Sequence, residues 1–477
     1  MSCGGRRTGR RAFHSRERRT DRGHLVARIA APAFATLLAY ALPVAAAAQT
    51  VPAQLTVEDA IEIAHAGSPS FLQSVNDDDV AAAQLRARYG AFLPSLTTSV
   101  GYSGTTSRTL RAFGNFGEPL DRPEPLTTQT SSASQGLSMS MTLFDGGQNL
   151  LNVGAARAGV DATDARIAGQ RVLLRAEVSR LYYAAVRAEQ RVALERQLLR
   201  LVEDRVELMD RQFRIAVARQ TDVLGAQADL ASSRQSLADA EAAARTARLD
   251  LLQAMGVAGD AEFELISGLP TTVDPAALDA DALVARALAA SPLVRGAAAS
   301  AEQAARQAAA ARGGRLPTIT ANFIAGRGTS EQGFWSAWGE LGPQNRSAQF
   351  GLSASLPIFQ RFQTSAAITQ ARAAAEDAGH EARRVRLQVE RDVRAAVVEL
   401  GRAHEALRQA ETRAELSALR LELAEEEYQA GATSFTVLQQ IVGANEQAQR
   451  AVVDARFGYA GARIALERHL GGPLAGS

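Results

Sequence analysis

The same order of short motifs occurs twice along the chain, and this repetition constrains the fold more than any other feature. Residues 93–95, LPS, return as residues 316–318, LPT, and Leu143-Phe144 returns as Ile358-Phe359. A long internal repeat of this kind indicates a duplicated supersecondary unit within one quasi-symmetric object. The stretch between the first two strands of each unit is longer in the first half than in the second.

Each half contains two stretches in which apolar residues alternate with small polar ones. Residues 137–143, LSMSMTL, are the clearest case, and residues 96–103, 318–325 and 349–358 follow the same pattern. A period of two predicts strands with one apolar face. Strands of roughly ten residues can cross a membrane when tilted. We interpret the intervening residues, 104–134 and 326–346, as loops.

The polar face of these strands carries Ser, Thr and Gly and no Lys or Glu. A soluble sheet with one buried face shows the same alternation, but its edge strands normally carry charges that prevent association. Four strands are too few to close a membrane barrel, because the smallest known ones use about eight. We therefore expect several copies to close one barrel together. The predicted lipid-facing positions are Leu96, Val100, Tyr102, Leu137, Met139, Met141, Leu143, Ile319, Phe323, Phe350, Leu352 and Leu356.

Two long helical hairpins follow the strand pairs. No proline occurs between Asn149 and Phe213, and a helix of that length spans roughly 100 Å. Leucine recurs at every seventh position, as at Leu194, Leu201 and Leu208, which predicts left-handed supercoiling against neighbouring helices. Many positions on this stripe are Ala, which favours a helical wall with water beside it, although an ordinary antiparallel coiled coil has the same periodicity. Residues 216–221 and 431–435 are the predicted reversals.

The first 48 residues differ from the rest of the chain. Residues 1–28 are rich in Arg, and residues 29–48 form an apolar run that ends in small residues before Gln49. This pattern predicts a cleaved export signal, with an uncleaved anchor or a twin-arginine signal as alternatives. The only cysteine, Cys3, lies within this segment. The mature chain is therefore expected to have neither disulfides nor thiol chemistry.

Composition and motifs give no support for catalysis or for nucleic-acid binding. Formal net charge is +1, so no global field attracts nucleic acid. The six histidines have no metal-ligand spacing, and no phosphate-binding loop or nucleophile elbow is present. We expect no enzyme activity and no cofactor. The acidic runs 77–79 and 425–427 are interpreted as solvated helix faces, and Trp335 and Trp338 either join an interfacial aromatic girdle or pack within an external loop.

The chain resembles the TolC-type outer-membrane efflux factors in the order of its elements, which occurs twice. Each copy has a helix, a strand that begins at LPS or LPT, a loop, a strand that ends in LFDGG or LPIFQRF, a long helix, a turn and a return helix. The resemblance covers residues 55–471. It implies a mostly α protein with transmembrane β structure: a homotrimer with a twelve-stranded β-barrel, four strands from each chain, continuous with a twelve-helix periplasmic α-barrel. It implies an exit channel in the outer membrane, supplied by an inner-membrane pump of RND, ABC or MFS type through a periplasmic adaptor. A periplasmic coiled-coil adaptor or scaffold is the alternative.

The resemblance also implies site residues. Strand continues into helix at a junction where glycine permits unusual backbone angles; its residues are Phe144, Asp145, Gly146 and Gly147, with Pro357 and Phe359 in the second half. Helix tips act as gate and adaptor contact in that family. The corresponding positions here are Ala216, Thr221, Asp222, Gly431, Thr433, Ser434, Thr436, Gln439 and Gln440. Asp222 is also a candidate helix cap. Thr436 and Gln439 stand where well-known members carry acids, which predicts a neutral polar constriction.

These patterns divide the chain into six segments. We expect an export signal at 1–48, an N-terminal helical segment at 49–92, a first repeat at 93–256, a connecting segment at 257–280, a second repeat at 281–471 and a tail at 472–477.

Overall fold

The structure is a computed structural model, and it describes residues 51–215, 218–259, 261, 263–266, 268, 271–333, 337 and 346–474. All of these residues belong to one unit, Gln49–Ser477. The predicted export signal, Ala216, Trp335 and Trp338 lie outside the described residues. Within the described part, no single helix is both long and apolar enough to span a membrane. One bent pair, Ala280–Ala290 with Pro292–Arg315, meets the length and composition requirements at an angle of 48°.

The two halves have the same order of main elements. The first half contains β1 (Gln54–Leu55), α1 (Val57–Gly67), α2 (Pro69–Gly90), β2 (Ser95–Phe113), β3 (Pro119–Phe144), α3 (Gln148–Arg214) and α4 (Gln220–Met255). The second half contains β4 (Glu264–Leu265), α5 (Ala280–Ala290), α6 (Pro292–Arg312), β5 (Thr318–Gln332), β6 (Arg346–Ser355), α7 (Gln363–Gln429) and α8 (Phe435–Leu470). The long helices have equal lengths in both halves, 67 residues for α3 and α7 and 36 for α4 and α8.

Local sequence accounts for where the helices begin and end. Thr56 and Asp59 form a reciprocal capping box at the start of α1. Pro69 and Pro292 begin α2 and α6, where a missing N–H costs nothing. Gly256 and Gly471 end the two return helices with φ of +75° and +74°, the left-handed conformation that glycine adopts at low cost. The helical hairpins predicted from the sequence are therefore confirmed.

Four strands form one antiparallel sheet in the order β2-β3-β5-β6. Strands β2 and β6 are the edges, and neither has a partner on its outer side within the described residues. A separate parallel pair, β1 with β4, joins the start of the chain to the connecting segment.

The strands are longer than the sequence pattern predicts, and the prediction of loops at residues 104–134 and 326–346 is wrong over most of the first and part of the second. Strand β2 continues to Phe113 and β3 begins at Pro119, while β5 continues to Gln332. Residues 104–134 are rich in Ser and Thr on both faces, so they pair as strands without an apolar period. The prolines of β3 come before Thr130, the residue at which its pairing with β5 begins. In that part β3 is paired on one side only, and such an edge tolerates proline.

Two apolar clusters hold the helices together, and the first of them includes Leu55 and Leu265 of the β1–β4 pair. The first packs α1, α3 and α4 around Tyr182, whose hydroxyl lies 2.8 Å from the carbonyl oxygens of both Leu55 and Ile266. Burial raises the pKa of Tyr182 to about 12. The second cluster packs α5, α7 and α8 around Tyr459, whose hydroxyl accepts from the Val273 N–H and donates to its carbonyl oxygen. Each half therefore ties its neighbouring loop to a long helix through one buried tyrosine.

Candidate functional site

One face of the sheet carries the apolar side chains of all four strands. Leu96 pairs with Met139, Met139 with Phe323, and Phe323 with Phe350, so the four side chains form one row across the sheet. Phe350 is 71% exposed and Leu96 is 67% exposed. Leu143 lies at the register shift between Thr142 and Phe144, and Leu356 follows the end of β6. The remaining predicted lipid-facing positions within the strands alternate onto this face: Val100, Tyr102, Leu137, Met141, Ile319 and Leu352.

The opposite face is polar and made of small side chains. Ser140 on β3 donates from Oγ to the Asn322 Oδ1 atom on β5, at 2.9 Å. Ile324, which is 53% exposed, is an apolar exception on this face. A sheet with exposed apolar groups on one face and hydroxyl groups on the other suits an apolar environment on one side and water on the other. Other members of the polar face are Ser95, Thr97, Ser99, Ser138, Thr142, Thr318, Thr320, Ser353 and Ser355.

Strand β3 passes into α3 within three residues. Gly146 and Gly147 have φ of +72° and +79°, and Asp145 accepts the Asn149 N–H on Oδ2 at 2.8 Å. A Cβ atom on Gly146 would lie 2.4 Å from the Gly313 carbonyl oxygen, whereas one on Gly147 would meet open space. The first glycine is therefore required by both packing and backbone conformation, and the second by conformation alone.

Strand β6 passes into α7 through a different set of residues. Pro357 and Phe359 lie in this passage as predicted, but the left-handed positions are occupied by Arg361, with φ of +48°, and Phe362, with φ of +63°. Such angles cost a non-glycine residue of order 1–2 kcal/mol. The rings of Phe359 and Phe362 pack edge to face with centroids 5.7 Å apart, although the two residues are 73% and 77% exposed.

At the far end of the helices, α4 begins with Asp222 close to its predicted capping role. Asp222 Oδ2 accepts the Arg219 N–H at 3.2 Å, which satisfies a backbone donor at the helix start. Thr221 is exposed and Asp222 is half-buried. A carboxylate at this place also interacts favourably with the helix dipole.

At the second tip, between α7 and α8, some of the predicted residues form the turn and others are exposed. Gly431 ends α7 with φ of +72°, and Ser434 begins α8 by accepting the Val437 N–H at 3.4 Å. Thr433 is half-buried, while Thr436 and Gln440 are exposed. Glycine and serine therefore shape the turn, and the exposed side chains are available to solvent or to a partner.

A small apolar cluster and one hydrogen bond join the two tips. Met209, Val223 and Ala226 of the first hairpin pack against Phe435 of the second. Just above them, Gln439 Nε2 donates to the Asp229 Oδ2 atom at 2.6 Å. The sequence analysis did not identify Asp229, because a single acid on an Ala-rich helix has no distinguishing pattern.

Further along the hairpins, a buried ionic cluster joins α3 to α8. Glu195 is 1% exposed, and its carboxylate accepts from Arg450 at 2.8 Å on each oxygen and from Arg191 at 2.7 Å. Glu446 lies 3.5 Å from Arg450 and Asp454 lies 3.9 Å from Arg191. Among the ion pairs of the described residues, Glu195 is the most deeply buried acid.

The pKa values of the two glutamates in the cluster, Glu195 and Glu446, are shifted in opposite directions. Hydrogen bonds from Arg450, against the cost of burial, hold the pKa of Glu195 below its usual range. Burial is the main cause that raises the pKa of Glu446, with Glu195 and Asp229 adding to the effect and Arg450 and Arg205 opposing it. Glu195 is therefore the negative charge through which α3 pairs with Arg450 of α8.

A family model described as outer membrane efflux protein matches residues 60–257 and 283–472. The chain belongs to this family. The two matched segments correspond to the two halves of the fold, and the gap between them lies in the connecting segment.

Individual relatives are similar to the chain over different lengths. The outer membrane efflux protein BepC of Brucella suis biovar 1 (strain 1330) is 29% identical over 254 residues, which are 52% of this chain and 52% of that protein. The match therefore spans about half the length of this curated relative. Among solved structures, CusC superimposes with a TM-score of 0.74 at 19% identity, covering 87% of this chain and 92% of that one. The Campylobacter jejuni CmeC outer membrane channel gives a TM-score of 0.71 at 15% identity, over 88% and 87%.

Besides Asp229, two further features of this chain were missed by sequence reasoning. Glu195 and Arg450 come from different halves of the chain, so no local pattern pairs them. The left-handed angles at Arg361 and Phe362 have no glycine to indicate them. The second feature could have been found by aligning the two halves, because Phe144 corresponds to Phe359 and the two glycines then correspond to Arg361 and Phe362.

Proposed function

We propose that the chain is one third of an exit channel in the outer membrane of a Gram-negative cell. Three copies close a twelve-stranded barrel, and their helices form a periplasmic tunnel of twelve helices. The single observation that supports this most strongly is the open four-stranded sheet, with one exposed apolar face and two edges that have no partner strand in the part of the chain that the structure describes.

The physical argument starts from the edges. Among the described residues, no strand pairs with the outer side of β2 or β6, and unpaired backbone groups in lipid cost several kcal/mol each. Pairing β2 of one copy with β6 of the next satisfies both edges and turns every apolar face outward. Three copies supply enough strands for a membrane barrel, which one copy does not.

The helices supply the second part of the proposal. Both long helices have 67 residues, a length of about 100 Å, which carries the duct from the membrane into the periplasm. The junction residues Phe144, Asp145, Gly146, Gly147, Pro357 and Phe359 join the two walls. The tips at Thr221, Asp222, Gly431, Thr433, Ser434, Thr436 and Gln440 face a periplasmic adaptor, which connects the duct to an inner-membrane pump of RND, ABC or MFS type.

In this proposal Gln439 is not a free amide that lines the channel entrance. Its amide is held by Asp229, so the entrance carries an acid beside the amide rather than a wholly neutral ring. Cargo passes through without chemical change. In one transport protein, the six segments expected from the sequence are the export signal, the N-terminal helical segment, the two repeats, the connecting segment between them and the tail.

Fractionation and electrophysiology test the proposal. We expect the protein in the outer-membrane fraction as a trimer that dissociates on heating, and we expect discrete ion conductance when the purified protein is added to planar bilayers. Recovery of a folded, water-soluble monomer without conductance would reject the proposal and favour a periplasmic scaffold. Gly379→Ala, an exposed change in the middle of α7, serves as a control that should leave conductance unchanged.

A further inference from the structure

The segment between β6 and α7 carries large side chains that have few contacts within the chain. Ile358 is 94% exposed, Phe359 is 73% exposed and Phe362 is 77% exposed. Arg361 and Phe362 also have φ of +48° and +63°, angles that glycine adopts at lower cost. Strain that is kept at an exposed place indicates that these side chains act on something outside the chain.

The end of the sheet that is nearer the helices carries an excess of positive charge. Residues 80–117, 303–330 and 346–375 include the helix-side ends of β2, β5 and β6, and they contain no Asp or Glu. The end of β3 is followed by Asp145, whose carboxylate accepts the Asn149 N–H at 2.8 Å. The exposed arginines close to these strand ends are Arg86, Arg88, Arg312, Arg315 and Arg361. Within the described residues, the side chains of these five arginines form no ion pair or hydrogen bond.

Two of these arginines belong to segments that lie side by side. A Cβ atom on Gly314 would lie 3.6 Å from the Thr364 Cγ2 atom, so the start of α7 passes beside the turn that precedes β5. Arg315 follows Gly314 in that turn, and Arg361 comes just before α7. Both side chains are exposed. Two cations without a counter-charge therefore lie next to the exposed apolar side chains of the same passage.

The apolar side chains continue the pattern of the apolar face of the sheet. Phe350 and Leu352 of β6 are followed at every second position by Ala354, Leu356 and Ile358. If the sheet forms a barrel wall as proposed above, this segment lies where the periplasmic leaflet of the outer membrane meets water, so the inference rests on the proposed function. At such a boundary, aromatic rings and the apolar stems of arginine lie among lipid, and the guanidinium groups reach the head groups.

Charge distinguishes between the two occupants that this surface could have in a trimer. The first is the segment that precedes β2 in the next copy, since β2 is proposed to pair with β6. That segment brings Arg86 and Arg88 and no acid, so it adds positive charge beside Arg361. The second is lipid. An anionic phospholipid supplies acyl chains for the apolar groups and a phosphate that guanidinium binds through two parallel N–H···O bonds.

We propose that Arg315 and Arg361 bind the phosphate of an anionic glycerophospholipid in the periplasmic leaflet. Ile358, Phe359 and Phe362 pack against its acyl chains. The site holds one lipid on each protomer, at the helix-side end of β5 and β6.

Native mass spectrometry of the delipidated trimer tests the charged part of the site. The probes are phosphatidylglycerol and phosphatidylethanolamine with the same acyl chains, because the ammonium group of the second cancels the charge of its phosphate. The variant Arg315→Gln/Arg361→Gln removes the two cations, and the control Arg413→Gln/Arg420→Gln removes the same charge from an exposed part of α7. Each basic group near an anionic lipid surface strengthens binding about fivefold, so we expect the first variant to bind phosphatidylglycerol roughly tenfold or more weakly.

A second pair of variants tests the apolar part of the site. Phe362→Ala removes one ring, and we expect it to weaken the binding of both lipids equally, because they share the same acyl chains. The matched control is Phe116→Ala, since Phe116 is 97% exposed in the turn between β2 and β3. We expect this control to bind both lipids as wild type does.

Several results would overturn the inference. They are equal binding of the two lipids by wild type, an unchanged preference in Arg315→Gln/Arg361→Gln, or a loss of preference in the α7 control. Loss of the trimer in Phe362→Ala with lipid binding retained would show that the ring packs on the next copy instead. Trimer mass and conductance are measured on the same samples. A wild type that is not a conducting trimer rejects the proposed function itself, whereas a conducting trimer without preference for phosphatidylglycerol rejects only the lipid site.

Discussion

The two passages from strand to helix have the same backbone shape and different residues. At the first passage, left-handed angles fall on Gly146 and Gly147; at the second, they fall on Arg361 and Phe362. Glycine adopts these angles freely, while other residues lose of order 1–2 kcal/mol. The second passage is therefore strained and the first is not.

The surroundings explain part of this difference. Gly146 packs directly against the Gly313 carbonyl oxygen, so no side chain fits there. At the second passage, Phe362 packs on Phe359 and both rings remain exposed at the end of the sheet, which in the proposed barrel is the periplasmic side of the membrane. Aromatic groups favour that interface. The comparison shows that the two passages have the same backbone conformation with different residues. The first has two glycines at the left-handed positions, and the second has Arg361 and the aromatic Phe362.

The largest expected effect lies where the two halves contact each other. Replacing Glu195 with Gln leaves Arg450 and Arg191 without their buried counter-charge, and breaking such a pair costs about 3–5 kcal/mol. We expect the free energy of unfolding in detergent to fall by about this amount. The control Glu381→Gln removes an exposed ion pair to Arg384, and we expect it to leave the free energy of unfolding nearly unchanged because solvent screens such a pair.

The same variant has a predicted pH dependence. Because the pKa of Glu195 is lowered in the folded protein, its stabilising charge is fully present above the usual pKa of an unfolded glutamate and is lost as the pH falls through the lowered value. The difference in unfolding free energy between wild type and Glu195→Gln should therefore shrink on acidification. A difference that stays constant down to that range would show that the charge of Glu195 has no such role.

The next effect compares the two passages directly. Gly146→Ala places a Cβ atom 2.4 Å from a carbonyl oxygen at a positive φ, and we expect a loss of about 3 kcal/mol in unfolding free energy. Urea unfolding of the purified protein measures it. If Gly146→Ala costs no more than Gly147→Ala, which meets open space, the close approach to Gly313 does not constrain the passage.

A smaller pair of changes should have opposite signs. Gly147→Ala introduces strain of about 1 kcal/mol without a clash, while Arg361→Gly relieves strain of similar size. We expect the midpoint of urea unfolding to fall for the first variant and to rise for the second. Two changes of the same sign would mean that the passages are not equivalent in energy.

The smallest expected effects compare the two helix starts at the tips. Ser434→Ala removes a side chain that accepts a backbone N–H and should cost about 1 kcal/mol. Asp222→Ala removes the acceptor for the Arg219 N–H and should cost about 0.5 kcal/mol. Hydrogen exchange at Arg219 and Val437 measures both, and protection that is unchanged in either variant would remove that cap from the account.

Much of the fold follows from patterns that repeat along the chain. The proline-free stretch from Asn149 to Phe213 predicts α3 almost to its ends, and the alternation in residues 137–143 predicts which face of β3 is apolar. The continuation of β2 to Phe113 could not be predicted in the same way. There both faces are polar, so backbone pairing alone maintains the strands and leaves no apolar period to read.

The site was less accessible to sequence reasoning for a different reason. Asp222 and Ser434 cap helices through contacts with residues three positions away, so the local sequence is enough to indicate such caps. The contact of Glu195 with Arg450 and that of Gln439 with Asp229 bring distant segments together, and neither residue type is unusual on a helix surface. Only the packing of the two hairpins identifies such pairs.

Cysteine pairs across the sheet edges test the central claim most directly, because the only natural cysteine, Cys3, lies in the predicted export signal. Thr98→Cys on β2 is combined in turn with Phe350→Cys, Leu352→Cys or Ala354→Cys on β6, and each single variant serves as a control. Pairing of β2 with β6 of the next copy predicts that one combination gives a covalent trimer on oxidation in the outer membrane, while the single variants give none. A monomer for every combination would contradict the account.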